Sequence, residues 1–162
     1  MLGSEGRTYA EQTIALVDRL LAKVEGLPED VVRRKPSEDA WSVMEILCHV
    51  EEILDYWPSE LVRVIEANGG EWGRGLQDER RLAAVARANE RMPEDVMQGI
   101  RLAAATAQNK LLGLADEDFR LQAPHRNPKF GVKPMKFLAD HFIIEHLEGH
   151  IGQIDRTLAA IG

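Results

Sequence analysis

Apolar residues return at intervals of three and four along nearly the whole chain, and no stretch alternates apolar and polar residues over a strand's length. That pattern commits the sequence to helices that each hide one face. The first helix is expected from about Thr8 to Glu25, with Ile14, Val17, Leu20, Leu21 and Val24 as its stripe and Gly26-Leu27-Pro28 as its stop. The polar connector that follows has room for one short turn of helix. A second long helix starts at Trp41-Ser42, where Ser42 and Glu45 have capping-box spacing and Trp41 can staple onto Ile46. It closes near Asn68-Gly69-Gly70, and Pro58 inside it predicts a kink or break because proline removes one backbone donor.

Residues 71–77 read as a loop, and a short helix capped by Asp78 follows. Pro93, with Glu94 and Asp95 behind it, opens a long helix through about Leu114. Residues 116–133 read as irregular, and Pro134 opens a final helix that runs to Ile161. Four long helices imply an all-α antiparallel four-helix bundle with an additional short helix, and residues 1–162 form a single domain.

Charge and cysteine content narrow the function. With 27 acidic against 20 basic residues the formal net charge is −7. That balance repels phosphate backbones and argues against nucleic acid as a partner. The one cysteine, Cys48, permits no intrachain disulfide and suits a reducing compartment. The first residues carry neither a basic region nor an apolar one, unlike a signal peptide, and no apolar run is long enough to span a bilayer. A cytoplasmic protein with no membrane partner is expected.

The candidate chemistry lies in His146-Leu147-Glu148-Gly149-His150-Ile151-Gly152-Gln153. At about 100° per residue, His146 and His150 lie about 40° apart and one turn apart, with Gln153 on the same strip. A bundle site needs a further ligand from another helix, and His49 is the obvious donor. Three neutral imidazoles on two helices suit Zn²⁺, Ni²⁺ or another late divalent metal, with coordination positions left for water or substrate. Buried, hydrogen-bonded histidines are the competing explanation. His141 falls about 140–180° away from the pair in a regular helix and is expected to pair with Glu145 on another face.

Other motifs fail. Leu147 stands where a metalloprotease His-Glu-x-x-His needs its glutamate, and Glu148 should face away. No Glu-x-x-His pair of a di-iron bundle, no Gly-x-Ser-x-Gly elbow and no phosphate-cradling glycine loop is present.

Two ordered segments carry a resemblance. Residues 41–52, WSVMEILCHVEE, are similar to the Trp-Ser…His signature at the start of the second helix in the DinB/YfiT-like family. Residues 146–154, HLEGHIGQI, are similar to that family's His-x-x-x-His-x-x-Gln-Ile signature in the last helix. The resemblance implies a four-helix bundle, a homodimer, and a divalent metal held by three histidines, which fall on His49, His146 and His150. Zn or Ni comes first as the metal, with Fe and Mn next. Members of the family include thiol-dependent S-transferases, a maleylpyruvate isomerase and proteins assigned as metal-dependent hydrolases. The expectation is therefore a divalent-metal-dependent enzyme acting on a small molecule, by transferase chemistry with a low-molecular-weight thiol or by hydrolysis. The alternative is a non-catalytic stress-response bundle that binds a metal or small ligand.

The remaining candidates have structural explanations. Trp41 and Ser42 cap and staple. Glu45, one turn from His49, could support it but is wanted by the cap, and Gln153 either orients a ligand or makes a core hydrogen bond. Gly149 either clears space for substrate or allows close helix packing, the simpler account. Cys48 fits a small core residue, His125 a solvated loop, Tyr56 and Trp57 bundle or dimer contacts, with Tyr56 a candidate pocket wall. Trp72 is expected as an exposed aromatic at a dimer face. No second catalytic residue is evident near the triplet, which favours thiol transfer over hydrolysis, because hydrolysis usually wants a general base.

Overall fold

The computed structural model describes residues 3–162. In chain order its helices are α1 (Ser4–Val24), α2 (Glu29–Arg33), α3 (Val43–Glu66), α4 (Glu79–Ala86), α5 (Pro93–Leu112), α6 (Met135–Phe137) and α7 (His146–Ile161). A π-helical stretch, Leu138–Glu145, joins α6 to α7, and its flanking residues keep right-handed helical dihedrals, so the three run as one continuous helix. Pro134 caps its start and Ile161 ends it, as the sequence pattern predicts.

Four long rods form the bundle. α5 packs on both α1 and α3, and the last helix packs on the same two. α1 and α3, consecutive among the long helices, therefore sit at opposite corners, as do α5 and the last helix; segments 25–42 and 113–134 cover those diagonals, whereas 67–92 joins the adjacent α3 and α5. Tyr9, Leu16, Val17, Leu20, Leu21 and Val24 of α1 fill the centre with Ile46, Leu47, Val50, Leu54 and Leu61 of α3. Ile100, Ala104 and Leu111 of α5, and Leu147, Ile151 and Ile154 of α7, complete it.

Ser42 begins α3 with the expected reciprocal cap: the Glu45 N–H donates to its hydroxyl at 3.1 Å, and its own N–H donates to Glu45 Oε1 at 2.9 Å. α3 then runs through Pro58 without a break; Pro58 and Trp57 are both buried, and packing on the neighbouring helices holds the rod together across the lost hydrogen bond. Asn68, Gly69 and Gly70, all at positive φ, end the helix as expected.

Segment 116–134 departs from the irregular expectation. A 3₁₀ turn, Asp116–Arg120, leads into a two-stranded antiparallel ribbon of β1 (Gln122–Pro124) and β2 (Val132–Pro134). Trp72 docks onto it, donating its indole N–H to the Ala123 carbonyl at 2.9 Å and its backbone N–H to Pro124 at 3.0 Å. Trp72 is consequently 1 % exposed, which overturns its reading as an exposed interface aromatic. His125 is buried as well, packed between Trp72 and Phe130 with its ring stacked on Phe142, so it is not the solvated loop histidine expected. Three strand residues carry no alternating pattern long enough to read, and a loop's burial is set by what folds over it.

Removing the cap should be measurable. Ser42→Ala leaves the Glu45 N–H without its partner, so urea denaturation should show a loss of about 1 kcal/mol with an unchanged m-value.

Candidate metal centre

α3 contributes His49, two turns in from its capped N-terminus and 2 % exposed. α7 contributes His146 and His150, one turn apart on the face turned to α3. The His49 ring centroid lies 5.6 Å from that of His146 and 4.7 Å from that of His150, and His146 and His150 are 4.7 Å apart. One ring nitrogen from each histidine can be chosen so that all three lie within 4.8 Å of one another. The structure thus brings together the three residues selected from the sequence.

Their hydrogen bonds assign the free lone pairs. The His146 Nδ1–H donates to the Phe142 carbonyl at 3.2 Å, and the His150 Nδ1–H donates to Gln153 Oε1 at 2.8 Å. In both rings Nε2 is left as a lone pair. His150 Nε2 and His49 Nδ1 are buried with no partner among the described residues. Buried polar atoms without partners call for an explanation, and a ring N–H anchored to a carbonyl while the other nitrogen stays open is the usual arrangement behind a metal-ligating histidine. The donor set fits a divalent cation.

Electrostatics agrees. Burial drives the His49 pKa down to about 2, with repulsion from His150 and His146 adding to it, and Arg81 and Arg74 behind them. Burial and His150 lower His146 to about 4, and burial lowers His150 as well. All three rings are uncharged at neutral pH, the state that ligates metals.

The surroundings form a cavity of about 520 Å³ whose lining includes all three histidines together with Ile53, Trp57, Phe142, Gly149 and Gln153. Trp41 packs against His49 with ring centroids 5.2 Å apart, so it contacts the site as well as preceding the cap. Glu45 is engaged by Ser42 and lies 3.5 Å from Lys35 Nζ, in keeping with a capping role. A Cβ at Gly149 would meet nothing within 4 Å. Gly149 thus opens onto the cavity, and the close-packing account of it is wrong. Cys48 is buried in the core, as expected.

Several cavity residues were missed in the sequence. His141 and Glu145 both line it, the His141 Nδ1 lying 3.1 Å from Glu145 Oε1. The pairing was expected, but its position was not. In the π-helical stretch the hydrogen bonds run from i to i+5, so residues five apart stack along one face, and His141 comes round to the side of His146. Arg74, Arg81 and Arg156 also line the cavity. Arg156, seven residues after Gly149 and three after Gln153, could have been found from helical spacing. Arg74 and Arg81 could not, because a loop and a short helix carry them over the site. Gly73 makes that loop possible: it holds φ +91°, donates its N–H to Glu60 Oε2 at 2.7 Å, and a Cβ there would lie 2.5 Å from His125 Nε2. Arg74 is then clamped by Glu52 and Asp78, its guanidinium 3.8 Å over the Tyr56 ring. Tyr56 acts behind the wall, through Arg74.

A four-helix bundle with an inward-facing trio of uncharged histidines defines a class, and comparison gives its family. The family model of the DinB superfamily matches residues 12–154, and the chain belongs to that superfamily. No curated protein matches it. Among solved structures, YfiT from Bacillus subtilis, described as a probable metal-dependent hydrolase with an unusual four-helix bundle topology, superposes with a TM-score of 0.78 at 13 % identity. The match covers 100 % of this chain and 91 % of that one, and it shows a shared fold. No helix among the described residues is long and apolar enough to cross a membrane.

The lowered histidine pKa values carry a pH signature. The unfolded chain protonates its histidines near pH 6.5, whereas the folded trio resists until His146 titrates near 4 and His49 near 2. In that window the unfolded state binds more protons, so the metal-stripped protein should lose stability steadily as pH falls. Denaturation midpoints should drop between about pH 7 and about pH 5, above the main carboxylate range, and His146→Phe should reduce the slope. Midpoints independent of pH across that interval would contradict the neutral trio.

Proposed function

We propose that the protein is a divalent-metal-dependent hydrolase acting on a small molecule, with His49, His146 and His150 as the metal ligands. The observation that carries this reading is a trio of open imidazole nitrogens in a cavity whose wall also holds the His141–Glu145 pair. Zn²⁺ or Ni²⁺ suits three imidazoles best. When bound, such an ion lowers the pKa of a ligating water or thiol and polarises an electrophile. Gln153 holds the His150 ring in the tautomer that presents Nε2, and the Phe142 carbonyl does the same for His146.

His141 is the residue that tilts this reading toward one of the two chemistries. The sequence favours thiol transfer because no general base is evident near the triplet. The π-helical stretch offers a candidate: Glu145 accepts the His141 Nδ1–H, which leaves Nε2 as the ring's open nitrogen. A base of this kind favours hydrolysis. The substrate is a small molecule, in keeping with a cavity of about 520 Å³. A homodimer, inferred from family resemblance alone, would need a face other than Trp72.

Metal analysis of protein purified without an affinity tag should find about one ion per chain. Gln153→Ala should weaken binding about 10–100-fold, as is usual when a ligand loses its supporting hydrogen bond. His146→Ala should remove most of the affinity and His141→Ala none. Protein that neither carries metal nor takes up added Zn²⁺ or Ni²⁺ would end this reading.

For the reaction, metal-loaded protein is offered esters and amides alongside thiols with electrophiles. Hydrolysis lost in His49→Ala and reduced about 10²–10⁴-fold in His141→Ala, with the fold intact by circular dichroism, is the expected result. Turnover only with thiols would restore S-transfer. No turnover with tight metal binding would favour a non-catalytic binding module.

A further inference from the structure

The chain has an acidic excess, 27 carboxylates to 20 Lys and Arg, and most of its arginines are satisfied by it. Arg33, Arg34, Arg63, Arg74, Arg80, Arg87, Arg91, Arg101, Arg120 and Arg126 each have a carboxylate oxygen within 4 Å. Among the described residues four arginines have none. Two of these, Arg7 and Arg19, are exposed on α1. The other two, Arg81 and Arg156, both line the cavity over the histidines. They also line the adjoining groove beside Trp41, so they stand on the divide between the two concavities.

Neither is neutralised; Arg81 is also fixed in place, whereas Arg156 is exposed. Arg81 is half-buried, donates one Nη1 hydrogen bond to the Leu76 carbonyl at 3.0 Å, and rests its guanidinium 5.7 Å from the Trp41 ring centroid. Its position is further fixed because Asp78 caps α4 by accepting the Arg81 backbone N–H. Arg156 rises from α7 one turn beyond Gln153, its Nη1 passing 3.2 Å from where a Cβ at Gly152 would stand. Arg74, the third arginine of the wall, is saturated by Glu52 and Asp78 and is not available. The remaining acid of the wall, Glu145, is engaged by His141, and Asp39 of the adjoining groove lies beyond 4 Å of either free guanidinium.

A half-buried guanidinium beside a second cation and three uncharged imidazoles concentrates positive potential in one concave site of an acidic protein. Such a field attracts an anion, and guanidinium forks bind oxyanions in bidentate geometry. Deepening the proposed hydrolase reading, on which it rests, we propose that the substrate carries an oxyanion group, carboxylate or phosphate, that Arg81 and Arg156 bind while the rest of the molecule reaches the histidine trio. The two arginines select and orient; they do not react. Trp41 backs Arg81, and Gly149 keeps the α7 side of the cavity open.

The test is calorimetric titration of the full-length protein, both metal-stripped and Zn²⁺-loaded, with benzoate, phenyl phosphate and the neutral benzamide. Either oxyanion should bind more tightly than benzamide, and the tighter of the two identifies the group. Arg81→Gln and Arg156→Gln should each weaken it about tenfold or more, with Lys at either position giving partial recovery. Benzamide should be indifferent to both substitutions. Zn²⁺ stoichiometry and circular dichroism of the variants report whether the trio and the fold are intact. Zn²⁺ uptake failing in wild type while the metal-stripped protein still binds oxyanion through the arginines would end the metal reading and leave this one standing. Oxyanions binding no better than benzamide in both forms, or as well to the double variant as to wild type, would overturn it.

Discussion

Three imidazole rings lodged between α3 and α7, His49 buried and His146 and His150 half-buried, each give up hydration, and the architecture answers that cost ring by ring. Two of them regain a partner for the N–H, at the Phe142 carbonyl and at Gln153. All three stay uncharged because burial penalises a proton on each, with repulsion from neighbouring imidazoles adding to it at His49 and His146 and from Arg81 at His150. His150 Nε2 and His49 Nδ1 keep no protein partner. A core designed only for stability would place apolar side chains there, since leaving a buried polar atom unsatisfied costs roughly 1–3 kcal/mol. The trio is a functional expense carried by the hydrophobic packing around it.

That packing has to hold two helices in fixed phase, and α3 is the better secured of the two. Its capping box sets the first turn two turns before His49, and its buried stripe passes through Pro58 unbroken. The last helix instead changes pitch above the site. Over Leu138–Glu145 the π-helical turns rotate the preceding residues relative to α7, which places Phe142 where it stacks on Trp57 at 4.4 Å and brings His141 and Glu145 to the cavity. π-turns within α-helices are uncommon and gather at functional sites. Here the local change decides which side chains share the cavity with the histidines.

The cavity roof comes from outside the bundle. Trp72 is pinned to the β1–β2 ribbon, Gly73 turns the chain at a positive φ against His125, and Arg74 is driven under Glu52 and over Tyr56. α4 follows at once, its Asp78 cap setting the direction of Arg81. The connections between the long helices thus also close the site, and they bring Arg74 and Arg81 to it.

The sequence by itself determined the helices, their caps and the histidine trio. Periodicity, Ser42 with Glu45, Pro93 and Pro134 act within a few residues, and His146, His150 and Gln153 share one face because an α-helix repeats every 3.6 residues. His49 follows as the donor from another helix, and the family resemblance falls on the same triplet. Tertiary structure decided the rest. Whether Trp72 and His125 face water depends on Trp72 docking onto a ribbon about fifty residues further along the chain, and Arg81 reaches the site only because a loop folds over α3. The phase of His141 depends on a π-helical stretch that no residue spacing announces, because the hydrogen-bond shift from i+4 to i+5 is settled by how Phe142 and its neighbours pack. Local rules reach about one helical turn; contacts between distant segments carry no local signature.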